Sequence, residues 1–131
     1  MIFRYTILYV DDVCATLDFY QRAFGLERGF LHPSQDYGEL ITGDTKLAFS
    51  SRQLMKELGK NPKAPEPGAP SFEIAFESED VPSALDTALA AGAVLVQPLR
   101  EEPWGQSTSY VSDPNGFLIE ICSPLRDPQS D

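Results

Sequence analysis

The sequence contains little cysteine and almost no histidine. Of its 131 residues only two are cysteines and one is a histidine, and Cys14 and Cys122 form no Cys-x-x-Cys pair. This spacing gives no sign of a disulfide framework, so we predict a reduced, cytoplasmic protein in which both cysteines fill apolar space.

Basic residues and long apolar runs are also scarce. Twenty acidic side chains face ten basic ones, a net charge of −10, which argues against nucleic acid and anionic membranes as partners and permits a cationic ligand. No apolar stretch approaches the roughly 18 residues of a membrane span, and the first residues do not resemble a signal peptide. The apolar content of 42% is enough for one folded domain over residues 1–131.

What the sequence does contain is an internal repeat at an offset of 68 residues. Asp12, Val13, Leu17 and Asp18 recur as Asp80, Val81, Leu85 and Asp86. Repeats of this size indicate units that cannot bury their apolar faces alone. Two units predict a paired domain with a cavity between its halves.

The first module is predicted over about residues 1–56. Asp12 is a candidate N-cap, and Val13, Leu17, Tyr20 and Phe24 form one helical face that ends at Gly25. The predicted order is a strand at 3–10, this helix, strands near 26–31, 37–42 and 45–50, and a short helix around 51–58. Residues 57–70 hold four prolines and two glycines and are predicted to be a linker.

The second module, about residues 71–124, repeats the order and precedes a short tail at 125–131. Asp80 caps a helix with Pro82 in its first turn, and the sequence at 113–116, Asp-Pro-Asn-Gly, predicts a turn. Strands are expected at 71–77 and near 93–97, 107–112 and 117–122. The predicted fold is therefore α+β, with two tandem βαβββ modules forming a curved mixed sheet around a concave cavity.

This order, together with the segment Tyr110 to Glu120 (Tyr-Val-Ser-Asp-Pro-Asn-Gly-Phe-Leu-Ile-Glu), resembles the vicinal oxygen chelate superfamily. Supporting pieces are Asp-Phe-Tyr at 18–20, Phe-Gly-Leu at 24–26 and Pro-Trp-Gly at 103–105. The superfamily includes glyoxalase I, bleomycin-resistance proteins, fosfomycin-resistance transferases, ring-cleaving dioxygenases and methylmalonyl-CoA epimerase. The resemblance covers residues 3–123 and specifies the fold, whereas the activity must be argued from the site.

The resemblance also implies where a metal would bind. In the metal enzymes the first and last strands of each module supply ligands, and the matching positions here are Tyr5, Ala48, Glu73 and Glu120. Only Glu73 and Glu120 are carboxylates, so the set for Ni, Zn, Mn or Mg is incomplete. His32 is at none of these positions, which counts against a two-histidine iron centre and against the fosfomycin pattern.

Strand alternation places the same residues independently. If Phe72, Ile74 and Phe76 face the helices, Glu73 faces the cavity, and the same reasoning on the last strand places Glu120 there. In the first module the alternation leaves Tyr5, Ile7 and Tyr9 in the cavity, with Glu39 beside them if Leu40 packs below.

Three roles remain open for Glu73 and Glu120. Either could abstract a proton as a general base, with Tyr5 or Tyr9 donating a hydrogen bond to an oxyanion. The pair could instead bind a planar cation that stacks on Trp104 or a tyrosine. They could also simply form ion pairs with Arg4, Lys46 or Arg100. Trp104 is the only tryptophan, and its loop could cover the cavity or merely close one end of the module.

We therefore expect a protein that binds a small molecule, of cationic character in one interpretation, in an acidic, aromatic-lined cavity. The alternatives are a metal-dependent lyase or isomerase resembling glyoxalase I (lactoylglutathione lyase) and a metal-free, proton-abstracting isomerase or epimerase. Since family members usually dimerise, the resemblance also implies a homodimer, and the long linker is compatible with a swapped one.

Overall fold

The computed structural model describes residues 1–125, so the predicted tail lies outside the described residues apart from Leu125. The chain divides into two units, Met1–Ala64 and Pro65–Asp131. The boundary falls inside the predicted linker. Within residues 1–125, no helix is both long enough and apolar enough to cross a membrane.

Unit 1 contains four strands and one long helix in the predicted order, followed by one short helix. They are β1 (Tyr5–Val10), α1 (Val13–Phe24), β2 (Glu27–Leu31), β3 (Tyr37–Ile41), β4 (Lys46–Ser51) and α2 (Arg52–Glu57). The strands form a mixed sheet in the order β1-β4-β3-β2, with β1 and β4 parallel.

Unit 2 repeats the arrangement, and its described residues up to Leu125 contain no second helix. Its elements are β5 (Glu73–Glu77), α3 (Val81–Ala90), β6 (Val94–Glu101), β7 (Ser107–Ser112) and β8 (Leu118–Cys122). The sheet order is β5-β8-β7-β6, with β5 and β8 parallel. The α+β class and the two βαβββ modules are confirmed, and each module forms its own four-stranded sheet.

The two long helices begin where the sequence predicted. The Asp12 carboxylate accepts a hydrogen bond from the backbone N–H of Ala15 at 3.0 Å, and that of Asp80 accepts one from Ser83 at 3.1 Å. Each aspartate satisfies a helix N–H that has no partner within the helix. This local chemistry explains why the repeat is visible in the sequence.

Strand β6 is longer than predicted, and it is an edge strand. It runs to Glu101 through Pro98, and its pairing with β7 shifts register twice, between Leu95 and Gln97 and between Gln97 and Arg100. A proline without an N–H is tolerated at an edge, where one side of the strand has no partner. The shifts end the simple alternation of side chains along β6.

One face of each sheet packs against its long helix, and the opposite face carries the candidate site. In unit 1 the packed face contributes Leu8, Val10, Leu40, Leu47 and Phe49 to the core, all buried. In unit 2 Val111, Ile119 and Ile121 are buried in the same way. The alternation that the sequence predicted for β1 and β8 is therefore present.

Residues 65–70 lie across the turn between β7 and β8, and we call them the proline strap. Gly116 in that turn has φ of 99°, and a Cβ added there would lie 3.2 Å from Cγ of Pro67. The ring of Phe72 packs on that of Phe117, with centroids 5.9 Å apart. The strap thus belongs structurally to unit 2.

Candidate ligand site

The register of β5 and β8 brings Glu73 and Glu120 onto one face of the unit 2 sheet. Glu73 lies opposite Leu118, and Ala75 lies opposite Glu120. Since Leu118 and Glu120 are two residues apart, their side chains point the same way. Among the described residues of unit 2, no lysine or arginine forms an ion pair with either carboxylate.

Tyr110 on β7 joins the two carboxylates. It lies opposite Glu120, and its hydroxyl is 2.7 Å from Oε2 of Glu120 and 3.4 Å from Oε2 of Glu73. A phenol has one proton, so the shorter contact is the main hydrogen bond. Burial raises the pKa of Tyr110, and the hydrogen bond to Glu120 raises it further, so the hydroxyl remains a donor at neutral pH.

Tyr110 is not among the site residues that the sequence predicts, although it lies in the segment that carries the family resemblance. Its place in the site depends on the register of β7 with β8, which the alternation of side chains within one strand does not determine. Counting outward from the turn at 113–116 would have placed Tyr110 opposite Glu120.

Trp104 is held in a hydrogen-bonded turn between β6 and β7. The indole N–H donates to Oε1 of Gln106 at 2.7 Å, and the Gln106 amide donates to the backbone oxygen of Ser123 at 2.8 Å. The backbone N–H of Glu102 also donates to the carbonyl of Gln106 at 2.7 Å. The ring is therefore oriented from its edge while it stays 60% exposed.

Arg100 and Glu102 form a pair on the β6 side of the site. Nε of Arg100 donates to Oε1 of Glu102 at 2.7 Å, and the hydroxyl of Thr108 donates to the same oxygen at 2.8 Å. The hydrogen bond from Arg100 lowers the pKa of Glu102, and the one from Thr108 lowers it further. Arg100, which the sequence offered as a partner for Glu73 or Glu120, pairs with Glu102 instead.

These groups surround an open pocket of about 290 Å³ in unit 2. Its walls include Glu73 and Glu120 on one side, Arg100 and Glu102 from β6 and the turn that follows it, and Trp104. Tyr110 also lines it. Three of the predicted site residues, Glu73, Glu120 and Trp104, thus line one pocket.

The other predicted site residues belong to unit 1. Glu39 is only 8% exposed, and its carboxylate accepts hydrogen bonds from the hydroxyl of Tyr37 at 2.7 Å and from Nζ of Lys46 at 3.2 Å. Tyr5 is half-exposed opposite Lys46. The ammonium of Lys60 lies 5.8 Å from the centre of the Tyr9 ring.

The pairing of the strands shows which residues are at the metal positions that the resemblance implies. Ile7 pairs with Ala48 in unit 1 as Ala75 pairs with Glu120 in unit 2, so Ala48 and Glu120 are equivalent. Ala48 has no donor atom. Within residues 1–125, no three histidine, cysteine, aspartate or glutamate side chains come together to hold a metal ion. The donor set of the described residues does not fit a complete family metal site.

The only histidine is placed away from these positions. Nδ1 of His32 accepts a hydrogen bond from the backbone N–H of Ser34 at 3.0 Å, within the segment between β2 and β3. This is a local loop interaction.

Known proteins resemble this chain in sequence and in fold. A family model described as Glyoxalase/Bleomycin resistance protein/Dioxygenase superfamily matches residues 2–121. The uncharacterized protein YraH of Bacillus subtilis (strain 168) is 31% identical over 121 residues, 90% of this chain and 94% of that protein. The uncharacterized protein Rv0887c of Mycobacterium tuberculosis is 30% identical over 130 residues, 95% of this chain and 75% of that protein.

Solved structures share the fold. A glyoxalase/bleomycin resistance protein/dioxygenase family enzyme from Burkholderia phytofirmans PsJN has a TM-score of 0.81 at 20% identity, covering 94% of this chain and 98% of that chain. A protein of unknown function from Agrobacterium tumefaciens str. C58 has a TM-score of 0.76 at 27% identity, with 95% of each chain covered.

Proposed function

Since the chain belongs to the glyoxalase/bleomycin resistance protein/dioxygenase superfamily, we propose that it is a small-molecule binding protein whose pocket in unit 2 takes a cationic aromatic ligand. The observation that carries this proposal is the pair Glu73 and Glu120. Both carboxylates line the pocket, and within the described part of unit 2 neither is neutralised by a basic side chain.

Electrostatics favours a cation in this position. Two unit charges about 4 Å apart attract by about 4 kcal/mol at an effective dielectric constant of 20, before desolvation is subtracted. Desolvation and side-chain ordering reduce the net gain to about 1 kcal/mol for a partly exposed contact. Two such contacts with one ligand give a preference for cations of tenfold or more.

The aromatic lining favours a flat ligand. Trp104 presents an exposed ring whose orientation is set by Gln106, and a cation over an indole face gains about 0.5–1 kcal/mol at an exposed site. The volume of about 290 Å³ is at the small end for ligand pockets. Both features support a compact ring system that carries a positive charge.

Proflavine, a planar cation, tests the proposal because Trp104 is the only tryptophan and reports binding by quenching of its fluorescence. We expect saturable quenching, weakened about tenfold by Glu120→Gln and about threefold by the more exposed Glu73→Gln. Glutamine keeps an acceptor for Tyr110. Naphthalenesulfonate, a planar anion, should bind much more weakly than proflavine.

The matched control is Asp86→Asn, which removes one negative charge from the exposed face of α3 in the same unit. It should change the affinity for proflavine less than twofold. A loss as large as that of Glu120→Gln would mean that only the overall charge attracts the dye, and the proposal would be wrong. Absence of quenching by proflavine would contradict it as well.

A metal-free, proton-abstracting enzyme is the second candidate, and the hydroxyl of Tyr110 favours it. This group lies within hydrogen-bond distance of Glu120 and stays protonated at neutral pH, so it could donate to an oxyanion while a carboxylate acts as base. Exchange of the C–H protons of hydroxyacetone in D₂O, lost in Glu120→Gln, would support it over simple binding. Stoichiometric metal in protein purified without chelators would instead support the glyoxalase-like lyase.

A further inference from the structure

Arg100 gives the pocket a positive group at the edge opposite Glu73. The sheet order places β5, which carries Glu73, at one edge and β6, which carries Arg100, at the other. The guanidinium lines the same pocket as the two carboxylates. The site described above therefore contains charges of both signs at its two ends.

The surroundings of Arg100 fix the guanidinium without using all of its donors. Oε1 and Oε2 of Glu102 accept from Nε and from one terminal nitrogen, at 2.7 and 3.5 Å. With its amide oriented to satisfy both groups, Gln97 accepts from the other terminal nitrogen at 2.8 Å and shares the single Nε hydrogen with Glu102. An arginine has five N–H groups, so two on the terminal nitrogens remain for a ligand.

Burial differs between the two partners in a way that favours binding. The side chain of Glu102 is 6% exposed, whereas that of Arg100 is 59% exposed. The carboxylate is therefore enclosed behind the guanidinium, where Thr108 also holds it, and the guanidinium faces outward. A planar guanidinium held in this way is suited to bind an oxyanion through two parallel hydrogen bonds.

We propose that the ligand of this pocket is amphoteric, with a carboxylate-like oxyanion bound by Arg100 and a cationic group bound by Glu73 and Glu120. The proposal rests on the proposed function and names the ligand class more closely. Strands lie about 4.8 Å apart, so the backbones of β8 and β6 are separated by roughly 10 Å. The two charged groups of the ligand should be separated by a comparable distance.

The overall charge of the protein makes this inference easy to test. At a net charge of −10, a ligand carboxylate is repelled unless a local cation binds it. A preference for the anionic form of a ligand would therefore run against the general field. It would have to come from a specific group such as Arg100.

The test compares lysyl-phenylalanine with its C-terminal amide, two dipeptides that differ only in the terminal carboxylate. Both carry a lysine amine, an aromatic ring and the length to extend roughly 10 Å. Affinities are measured at low salt from Trp104 fluorescence and by calorimetry. We expect the free carboxylate to bind about fivefold more tightly than the amide, the effect of roughly one exposed charge-assisted pair.

The decisive variant is the double substitution Arg100→Gln/Glu102→Gln. It leaves the net charge unchanged and avoids an unpaired carboxylate beside Thr108, so a melting curve close to that of the wild type is expected. The preference for the carboxylate should disappear, while binding of the amide changes less than twofold. Arg100→Lys keeps the charge without the planar fork and should retain part of the preference.

Two results separate this inference from the proposed function. Equal binding of the two dipeptides, or a preference that survives Arg100→Gln/Glu102→Gln, overturns the role of Arg100 and leaves cation binding intact. If neither dipeptide binds while proflavine does, the amphoteric class is wrong as well. If neither dipeptide nor proflavine binds, the proposed function fails together with the inference.

Discussion

The faces of the two sheets that lie opposite the long helices carry the same kinds of residue, but their charges are balanced differently. In unit 1 the buried carboxylate of Glu39 is paired with Lys46, whereas in unit 2 Glu73 and Glu120 have no basic partner among the described residues of the unit. Both faces keep a tyrosine hydroxyl 2.7 Å from a glutamate oxygen. One repeated scaffold has thus produced one neutralised face and one acidic face.

The strand registers show which positions differ. Lys46 of unit 1 corresponds to Leu118 of unit 2, because each lies opposite the first residue of the neighbouring parallel strand. Glu39 corresponds to Tyr110, because Glu39 lies opposite Ala48 and Tyr110 lies opposite Glu120, and Ala48 and Glu120 are equivalent positions. The pocket of unit 2 is therefore acidic because unit 2 lacks the lysine that unit 1 has and carries Glu73 and Glu120 in addition.

The largest effect is expected when Gly38 of unit 1 is replaced by serine, the residue that unit 2 has at the corresponding position, Ser109. A Cβ at Gly38 would lie 2.7 Å from Cδ1 of Leu17 in the core. We expect Gly38→Ser to lower the free energy of unfolding by about 1–3 kcal/mol in urea denaturation, since a packed core resists added atoms. Gly68→Ser, where the space is open, is the control, and an equal loss there would contradict the steric explanation.

A smaller effect is expected when Lys46 is replaced by its counterpart in unit 2. Lys46→Leu leaves the buried carboxylate of Glu39 with only the hydroxyl of Tyr37. Because the lysine side chain is partly exposed, the loss should be about 1–2 kcal/mol in the free energy of unfolding. Adding Glu39→Gln to Lys46→Leu should restore a large part of it. A double variant no more stable than the single one would show that the ion pair is not the cause.

The smallest effect concerns the two tyrosines at high pH. Burial, followed by the hydrogen bond to a glutamate, raises the pKa of both Tyr37 and Tyr110 above the value of about 10 in an unfolded chain. Above about pH 10 the unfolded chain loses protons that the folded protein keeps, so stability falls as pH rises, by at most about 1.4 kcal/mol per tyrosine over one pH unit. Tyr37→Phe and Tyr110→Phe should each remove about half of this fall. Unchanged slopes in both variants would show that neither tyrosine causes it.

The sequence predicted those features that depend on neighbours along the chain. Asp12 and Asp80 cap their helices through residues three positions away, and strand alternation placed Glu73 and Glu120 on one face. Each of these signals comes from residues that are close together in the sequence. The repeat at an offset of 68 residues was therefore enough to align the two modules.

The remaining part of the site depends on contacts between strands. The sequence offers Arg100 only as an ion-pair partner and gives no sign of Glu102, because β6 continues past its predicted end and shifts register twice, which breaks the period of two. Lys46 was named as a partner for the carboxylates of unit 2, but it pairs with Glu39 across the β3–β4 register. Such pairings are set by tertiary structure, which a single strand does not encode.

The proline strap has a consequence for where this chain can be divided. The repeat in the sequence begins again at residue 71, whereas the folded unit begins at Pro65 and places Pro67 against Gly116. A gene fragment or a module exchange that is cut at residue 71 would therefore leave the proline strap of unit 2 attached to unit 1. The natural joint for recombination lies six residues earlier, between Ala64 and Pro65.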